Sequence, residues 1–297
     1  MLRYAILIGS SLGLVASLAA DRAAPAGLSA AEIVDKNVAA RGGLQAWRAI
    51  QTMTLSGRLG SGGNQRSTLQ VPNPAGQIRG TLKDLVPSRR VEEVQLPFVM
   101  KLARPRKMRF ELEFSGQTAV QVYDGANGWK MRPFLGRHVV ETFTADELKT
   151  SSTQADLDGP LVDYAAKGTK VELAGTEKVE GRDTYKIKMT MKDGQALHVW
   201  IDAQSFLEAK IEGQPRKLDG TIHPVEIYFR DFRPVNALQI PFVMETKVLP
   251  VAKTALGLRD TPVPPEKIIV EKVLINPKFD EALFSKPEAG LSASVVQ

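Results

Sequence analysis

Cysteine is absent from all 297 residues of the chain. Without a thiol, the chain cannot form a disulfide, use a thiolate nucleophile or build a cysteine-based metal site. A lipid cannot be attached through an N-terminal cysteine either. We therefore expect a protein that stays soluble after export.

Recognisable catalytic motifs are also lacking. The sequence has no H-E-x-x-H, no G-x-S-x-G, no Walker loop and no G-x-G-x-x-G. Its three histidines, His138, His198 and His223, do not stand at metal-ligand spacing from one another. The sequence therefore gives no reason to expect an enzyme, a metal or another cofactor, and it favours a binding function.

Long apolar runs are missing beyond the start of the chain. Residues 1–20 place Arg3 before an apolar run and end in small residues, which is the layout of a signal peptide cleaved near Ala19 or Ala20. The alternative, an uncleaved anchor, is disfavoured because Gly9 and Gly13 interrupt a run that is already short for spanning. We therefore predict export to the periplasm and no stable membrane insertion.

The charge balance is modest, with a formal net charge of +6. This excess is consistent with weak attraction to anionic surfaces such as lipid headgroups, or with an ordinary solvated basic surface. No basic block with interleaved aromatic residues is present, so the sequence predicts no nucleic-acid partner.

Two capping boxes predict helices. Ser29 with Glu32 predicts a helix that begins at Ala30, and a short helical piece follows over 44–50. Thr144 with Glu147 predicts a second helix, interrupted within 145–167. A short terminal helix is predicted over 277–284.

Most of the remaining chain alternates between apolar and polar residues, as half-buried antiparallel strands do. Predicted strands cover 51–59, 65–71, 96–102, 108–114, 118–123, 128–134, 170–174, 183–191, 195–202, 206–212, 222–232, 238–248 and 267–275. We predict a mainly β fold with about eleven or more strands in a curled sheet, forming one domain over 21–290 with a loose tail at 291–297. The proline-rich stretch 249–266 is either a mobile flap or a fixed excursion.

Flexible and aromatic apolar residues concentrate on the alternating faces of these strands. Methionine adapts to variable apolar partners, so a methionine-lined concavity would suit acyl chains of differing length. The alternative is that this face is packed core. The candidate cargo-binding residues are Phe98, Met100, Met108, Phe110, Leu112, Phe114, Trp129, Met131, Tyr185, Met189, Phe229, Phe242 and Met244.

Three separated stretches then resemble one family. They are ARPRKMRFEL (103–112), VYDGANGWKMRPF (122–134) and FDEALFSKPEAG (279–290). In this order, after a signal peptide, they resemble the LolA/LolB-like periplasmic carriers of outer-membrane lipoproteins. The resemblance implies an unclosed antiparallel β-barrel lidded by α-helices, with a hydrophobic cavity for the acyl chains of a lipoprotein or lipid.

The resemblance also implies roles for single residues and for partners. Arg104, at the Arg-Pro step, would hydrogen-bond to the lid helices and act as a latch, while Met108 and Phe110 would point into the cavity. Trp129 and Met131 would contribute to the cavity wall, and the alternative for Trp129 is to anchor its hairpin against the core. An inner-membrane donor and an outer-membrane acceptor would be partners, and a sensor or protein-interaction module of the same fold is the alternative.

Overall fold

A computed structural model of the chain describes residues 27–61, 94–218, 220–253, 255, 257, 260 and 263–288. The predicted signal peptide and tail lie outside these residues. The helices are α1 (Ala30–Ala40), α2 (Leu44–Arg48) and α3 (Ala145–Gln154). The strands are β1 (Thr52–Ser61), β2 (Val94–Ala103), β3 (Lys107–Phe114), β4 (Gln117–Tyr123), β5 (Gly128–Arg132), β6 (Arg137–Thr142), β7 (Lys170–Val179), β8 (Arg182–Thr190), β9 (Ala196–Asp202), β10 (Glu208–Leu218), β11 (Thr221–Val235), β12 (Leu238–Val248) and β13 (Glu266–Ile275).

The described strands form one antiparallel sheet of thirteen strands, in the order β6-β5-β4-β3-β2-β1-β13-β12-β11-β10-β9-β8-β7. Each half is a meander, and β13 joins the halves by pairing with β1 and β12. The edge strands β6 and β7 do not pair with each other, so the sheet stays open. The predicted fold class is confirmed, with thirteen described strands where about eleven or more were predicted.

The connection from β6 to β7 explains where the core lies. These strands are at opposite edges of the sheet, so residues 143–169 cross one whole face. Apolar side chains of this crossover, including Leu157, Leu161 and Val162, pack in the main core with those of α1 and α2. We call the sheet face towards these segments the inner face, and the opposite face the outer face.

Both predicted capping boxes are present. The Ser29 side chain accepts from the Glu32 amide while Glu32 accepts from the Ser29 amide, and Thr144 and Glu147 do the same for α3. The α3 helix ends at Gln154, and turns replace the predicted helical run up to Gly168. Gly159, with a φ of 76°, and Pro160, which has no amide hydrogen to donate, interrupt the helix there.

Two other predicted elements differ from the structure. The terminal helix is only a 3₁₀ helix, Glu281–Phe284, capped by the Asp280 side chain. Strand β1 has β2 on one side and β13 on the other. The predicted first hairpin therefore is not formed along β1, and its second arm, 65–71, lies outside the described residues.

The described part of the 249–266 stretch is tied to β11. The Leu249 amide donates to the Pro224 carbonyl at 2.8 Å, and the Val251 amide donates to Asp260 Oδ2 at 3.0 Å. His223 Nδ1 lies 3.2 Å from the Leu249 carbonyl and 3.3 Å from Asp260 Oδ2. These contacts favour a fixed excursion over a mobile flap at the described positions.

Candidate apolar binding face

The inner face is apolar along most of the sheet. At the end covered by α1 and α2, strand residues such as Met53, Leu102 and Met108 are buried together with Trp47. This burial follows from the strand period, since each strand presents alternate residues to the same side. The face thus forms one continuous hydrophobic surface under the helices.

Eleven of the thirteen predicted cargo residues lie on this face. Phe98, Met108, Met189 and Phe242 are buried in the main core, and five others are half-buried against it: Met100, Phe110, Leu112, Tyr185 and Met244. Phe229 is paired with Met244 across β11 and β12, so it points to the same side. Phe114 follows Leu112 by one strand period and is 38% exposed.

Trp129 and Met131 are separated from the other eleven. They pair with Val122 and Val120 and pack in a second cluster on the outer face. They do not lie on the inner face, because β4 and β5 turn these side chains away from the helices. Of the two roles left open for Trp129, this packing favours the hairpin anchor.

The three stretches that carry the family resemblance meet in that second cluster. Ala103 comes from the first, Trp129 and Met131 come from the second, and Phe279 and Phe284 come from the third. The rings of Phe279 and Phe284 pack edge to face with centroids 5.8 Å apart. The three motifs therefore pack against one another on the outer face. Arg104, Met108 and Phe110 are not part of this cluster.

Burial on the inner face varies from row to row along the strands. Leu102 and its strand partners are buried, whereas the next inner-face row, Leu55, Met100 and Phe110, is half-buried. The Phe98 and Phe110 rings stack with centroids 5.9 Å apart. This row of the inner face is therefore less tightly covered than its neighbours on β2, Leu102 and Phe98, which are both buried.

Two surface hollows formed by the described residues lie outside the region beneath the helices. One, of about 250 Å³, lies at the β10–β11 irregularity and is lined by Gly213, Pro215, Pro224 and neighbours. The other, of about 690 Å³, lies between the β4–β5 turn and the C-terminal 3₁₀ helix. Neither is lined by α1, α2 or the crossover.

Arg104 ties the helices to the sheet. Its Nε donates to the Ile50 carbonyl at 2.8 Å, and its Nη2 donates to the Trp47 carbonyl at 3.1 Å. The same Nη2 donates to Asp158 Oδ2 at 2.6 Å. Because the guanidinium presents a fixed fork of donors, this one side chain fastens the end of β2 to α2 and to the crossover.

Asp158 lies in a charged cluster with Lys167 and Asp156. Lys167 Nζ donates to Asp158 Oδ1 at 2.6 Å and to Asp156 Oδ1 at 2.9 Å. Burial raises the pKa of Asp156 to about 6, although Lys167 opposes this effect. Burial also acts against the charged form of Asp158, but hydrogen bonds, that of Asp156 first, hold its pKa below the usual value.

Histidine chemistry is not concentrated anywhere in the described part of the chain. His198 Nδ1 lies 3.0 Å from Glu212 on the outer face, while His223 is fully buried beside Asp260. Among residues with described positions, no group of three histidine, aspartate or glutamate side chains is placed to hold a metal ion. None of the described helices is long and apolar enough to span a membrane.

Comparison with known proteins connects this architecture to solved structures. No protein-family model matches the chain, and none of the curated proteins matches it in sequence. The structure of the LolA superfamily protein NE2245 from Nitrosomonas europaea matches with a TM-score of 0.51 at 11% identity, over 87% of this chain and 98% of that one. The chain has a LolA-like fold.

Two further solved structures match the LolA-like fold of this chain with lower scores. A putative outer membrane lipoprotein-sorting protein domain from Vibrio parahaemolyticus has a TM-score of 0.47 at 11% identity, over 86% of this chain and 96% of that one. A DUF1329 family protein from Desulfovibrio piger has a TM-score of 0.48 at 12% identity, over 85% and 95% of the two chains. The match to the LolA superfamily structure confirms, for the fold, the resemblance inferred from the three motifs.

Several residues of the site were not found from the sequence. Asp156, Asp158 and Lys167 lie in turns, where no periodicity signals burial, and the only hint was a pair of aspartates flanking Leu157. Ile268 on β13 was missed although it packs on the inner face. The run of apolar residues in β13 concealed its alternation.

Proposed function

We propose that this protein is a periplasmic carrier that binds the acyl chains of lipoproteins or lipids on the inner face of its sheet. It would receive cargo from an inner-membrane donor and pass it towards the outer membrane. No bond is made or broken in such a transfer. The protein would thus act as a binding protein and not as an enzyme.

One observation supports this function above the others. The inner face is a continuous apolar surface, and it is covered by turns and by helices of at most 11 residues. A few side-chain contacts hold these segments to the sheet, including the Arg104–Asp158, Arg41–Glu208 and Lys130–Glu147 ion pairs. A ligand that replaces the apolar contacts of such a cover can displace it.

The energetics are consistent with reversible transfer. Each methylene moved out of water contributes about 0.8 kcal/mol, so an acyl chain of about twelve carbons gains on the order of 10 kcal/mol before costs. Binding of that strength alone would be hard to reverse. Helices that reoccupy the face when it is empty offset part of this gain, because the ligand must first displace them.

The test uses two neighbouring residues of β13 that face opposite sides. Ile268 packs on the inner face, while Ile269 is 37% exposed on the outer face. The protein is exported to a bacterial periplasm, purified without detergent and examined by native mass spectrometry with lipid extraction. We expect bound lipid or lipoprotein in the wild type and in Ile269→Glu, and its loss in Ile268→Glu and Phe110→Glu.

The possible outcomes distinguish a lipid carrier from a protein-interaction module. Equal lipid in both isoleucine variants would remove the inner face from consideration as the binding surface. A wild-type protein that stays empty even when offered acylated peptides would support an interaction module with a packed core.

A further inference from the structure

Four charged side chains meet beside α2, at the point where the inner face is closed. The Asp158 carboxylate accepts from Arg104 Nη2 and from Lys167 Nζ, each at 2.6 Å. The Asp158 side chain is only 2% exposed. Lys167 Nζ also donates to Asp156 and to the Gly159 carbonyl. A single buried carboxylate is therefore shared by the latch and by the crossover's own lysine.

We propose that Asp158 positions the Arg104 side chain, which acts as a latch between the sheet and the segments that cover it. As the pH rises, Asp156 loses its proton and this attachment becomes weaker. This inference rests on the proposed function, because it concerns how the binding face of the carrier is opened. It adds a regulating element, the crossover turn 155–168, to the helices that cover the face.

The position of Asp158 beside the Arg104 guanidinium supports its role. The other acceptors of the Arg104 side chain are the Trp47 and Ile50 carbonyls, which belong to α2 and its end. Among the described residues, only Asp158 brings a negative charge to this guanidinium, and it fixes the Nη2 group between α2 and the crossover. Without that charge, Arg104 and Lys167 would lie close together as two cations that share no carboxylate, which is unfavourable.

The surroundings of Asp156 make it the group whose charge changes. Its side chain is 14% exposed, and Arg106 approaches it at 4.0 Å. The other charged groups on the elements packed around the cluster are engaged: Arg41 donates to the Asp158 carbonyl and pairs with Glu208, and Asp163 pairs with Arg48. The Arg48 hydrogen bond lowers the pKa of Asp163, and the pKa of Asp158 is also lowered, so Asp156 is the carboxylate of this cluster with a raised pKa.

The shifted pKa values of Asp156 and Asp158 determine how the balance between open and closed states changes with pH. Burial raises the pKa of Asp156 to about 6 when the cover is closed, above its ordinary value of 3.8, which solvent would restore on opening. The closed state then binds more protons between about pH 4 and 6, so closure is favoured at low pH and weakens as the pH rises through 6. The lowered pKa of Asp158 acts in the opposite sense, at pH values below 3.8.

Opening can be measured directly because the chain contains no cysteine. Spin labels are placed at Gln45→Cys, exposed on α2, and at Glu113→Cys, exposed on β3. Double electron–electron resonance on the full mature chain then gives the fraction with a longer distance between the labels. In the otherwise wild-type protein, we expect the open-to-closed ratio to rise with pH from 4 to 6, by up to about 100-fold, and to level off above 7.

Four variants test whether Asp158 positions Arg104 or only stabilises the fold. Asp158→Asn should raise the open-to-closed ratio at least about tenfold at pH 7, the equivalent of losing one charge-assisted hydrogen bond. Asp156→Asn should remove the pH dependence and keep the ratio near its low-pH value, because the amide is neutral at every pH. Asp183→Asn, which changes an exposed carboxylate on β8, is the matched control and should leave both unchanged. Arg104→Lys provides a second test of the latch if Asp158→Asn fails to fold, and should open the cover at every pH.

Failure of this inference can be told apart from failure of the proposed function. Binding of 11-(dansylamino)undecanoic acid is measured separately by its fluorescence. If the wild type binds this probe but opens identically in all variants and at every pH, the latch assignment is wrong. If opening follows the predicted pattern and no probe binds, the latch stands and the carrier function fails.

Discussion

At the residue scale, Gly125 in the β4–β5 turn and Gly128 at the start of β5 serve different purposes. Gly125 has a φ of 107°, and the Asp124 side chain accepts from the amides of Ala126 and Asn127 to complete the turn. Gly128 does not have a positive φ. A Cβ at Gly128 would lie 1.9 Å from Cδ2 of Phe143, so this glycine exists to let the ring pack on the strand.

Gly128→Ala is therefore expected to lower the free energy of unfolding by about 1–3 kcal/mol, the usual cost of overpacking a core site. Chemical denaturation measures this loss. In a Phe143→Ala background the same substitution should cost much less, because the obstructing ring is gone. Equal costs in the two backgrounds would show that backbone conformation, and not the Phe143 contact, requires glycine.

At the scale of secondary-structure elements, α3 is fastened to the sheet by a carboxylate with two tasks. Glu147 completes the capping box with Thr144 and accepts from Lys130 Nζ on β5 at 2.6 Å. The Lys130 side chain is only 9% exposed. Despite desolvation, the Lys130 hydrogen bond keeps the pKa of Glu147 below its usual value.

Glu147→Gln is expected to lower the free energy of unfolding by about 1–3 kcal/mol, because it leaves a buried ammonium without its main partner. Thermal or urea denaturation provides the measurement. The double variant Lys130→Met with Glu147→Gln should recover part of the loss, since no uncompensated charge remains. A double variant less stable than Glu147→Gln would assign the loss to the helix cap alone.

At the scale of the whole molecule, an ion-pair network ties the β7 edge of the sheet to its centre. Glu180, in the β7–β8 turn, accepts from both terminal nitrogens of Arg230 on β11 at 2.6 and 2.7 Å. Arg230 also pairs with Glu245 on β12. The Arg230 hydrogen bond lowers the pKa of Glu180 from 4.5 to about 2.

A lowered carboxyl pKa contributes stability above about pH 4.5 that is lost as the pH falls towards 2, because the unfolded chain binds the proton first. Glu180→Gln should therefore reduce the free energy of unfolding at pH 7 and flatten its fall between pH 4.5 and 2. Denaturation at a series of pH values measures both effects. The difference from wild type should shrink in about 1 M NaCl, since partly exposed ion pairs are screened. A difference that salt does not change would contradict an electrostatic origin.

Features that depend on residues close together along the chain could be predicted from the sequence, and features that depend on distant residues could not. The helix starts at Ala30 and Ala145 follow from capping side chains three residues away, and they were predicted correctly. Strand alternation also identified eleven inner-face residues as sharing one side. It failed for Trp129 and Met131, because period two shows that residues share a face but not which face meets the helices.

The sequence by itself determined a mainly β chain with two capped helices, an apolar strand face and the family resemblance, because these depend on residues close together along the chain. Tertiary structure decided that 143–169 crosses the inner face, that three distant motifs meet on the outer face, and that Asp156, Asp158 and Lys167 gather beside Arg104. These are contacts between segments far apart in sequence. Their formation depends on strand order and on which charges become buried, and no local pattern of residues specifies either.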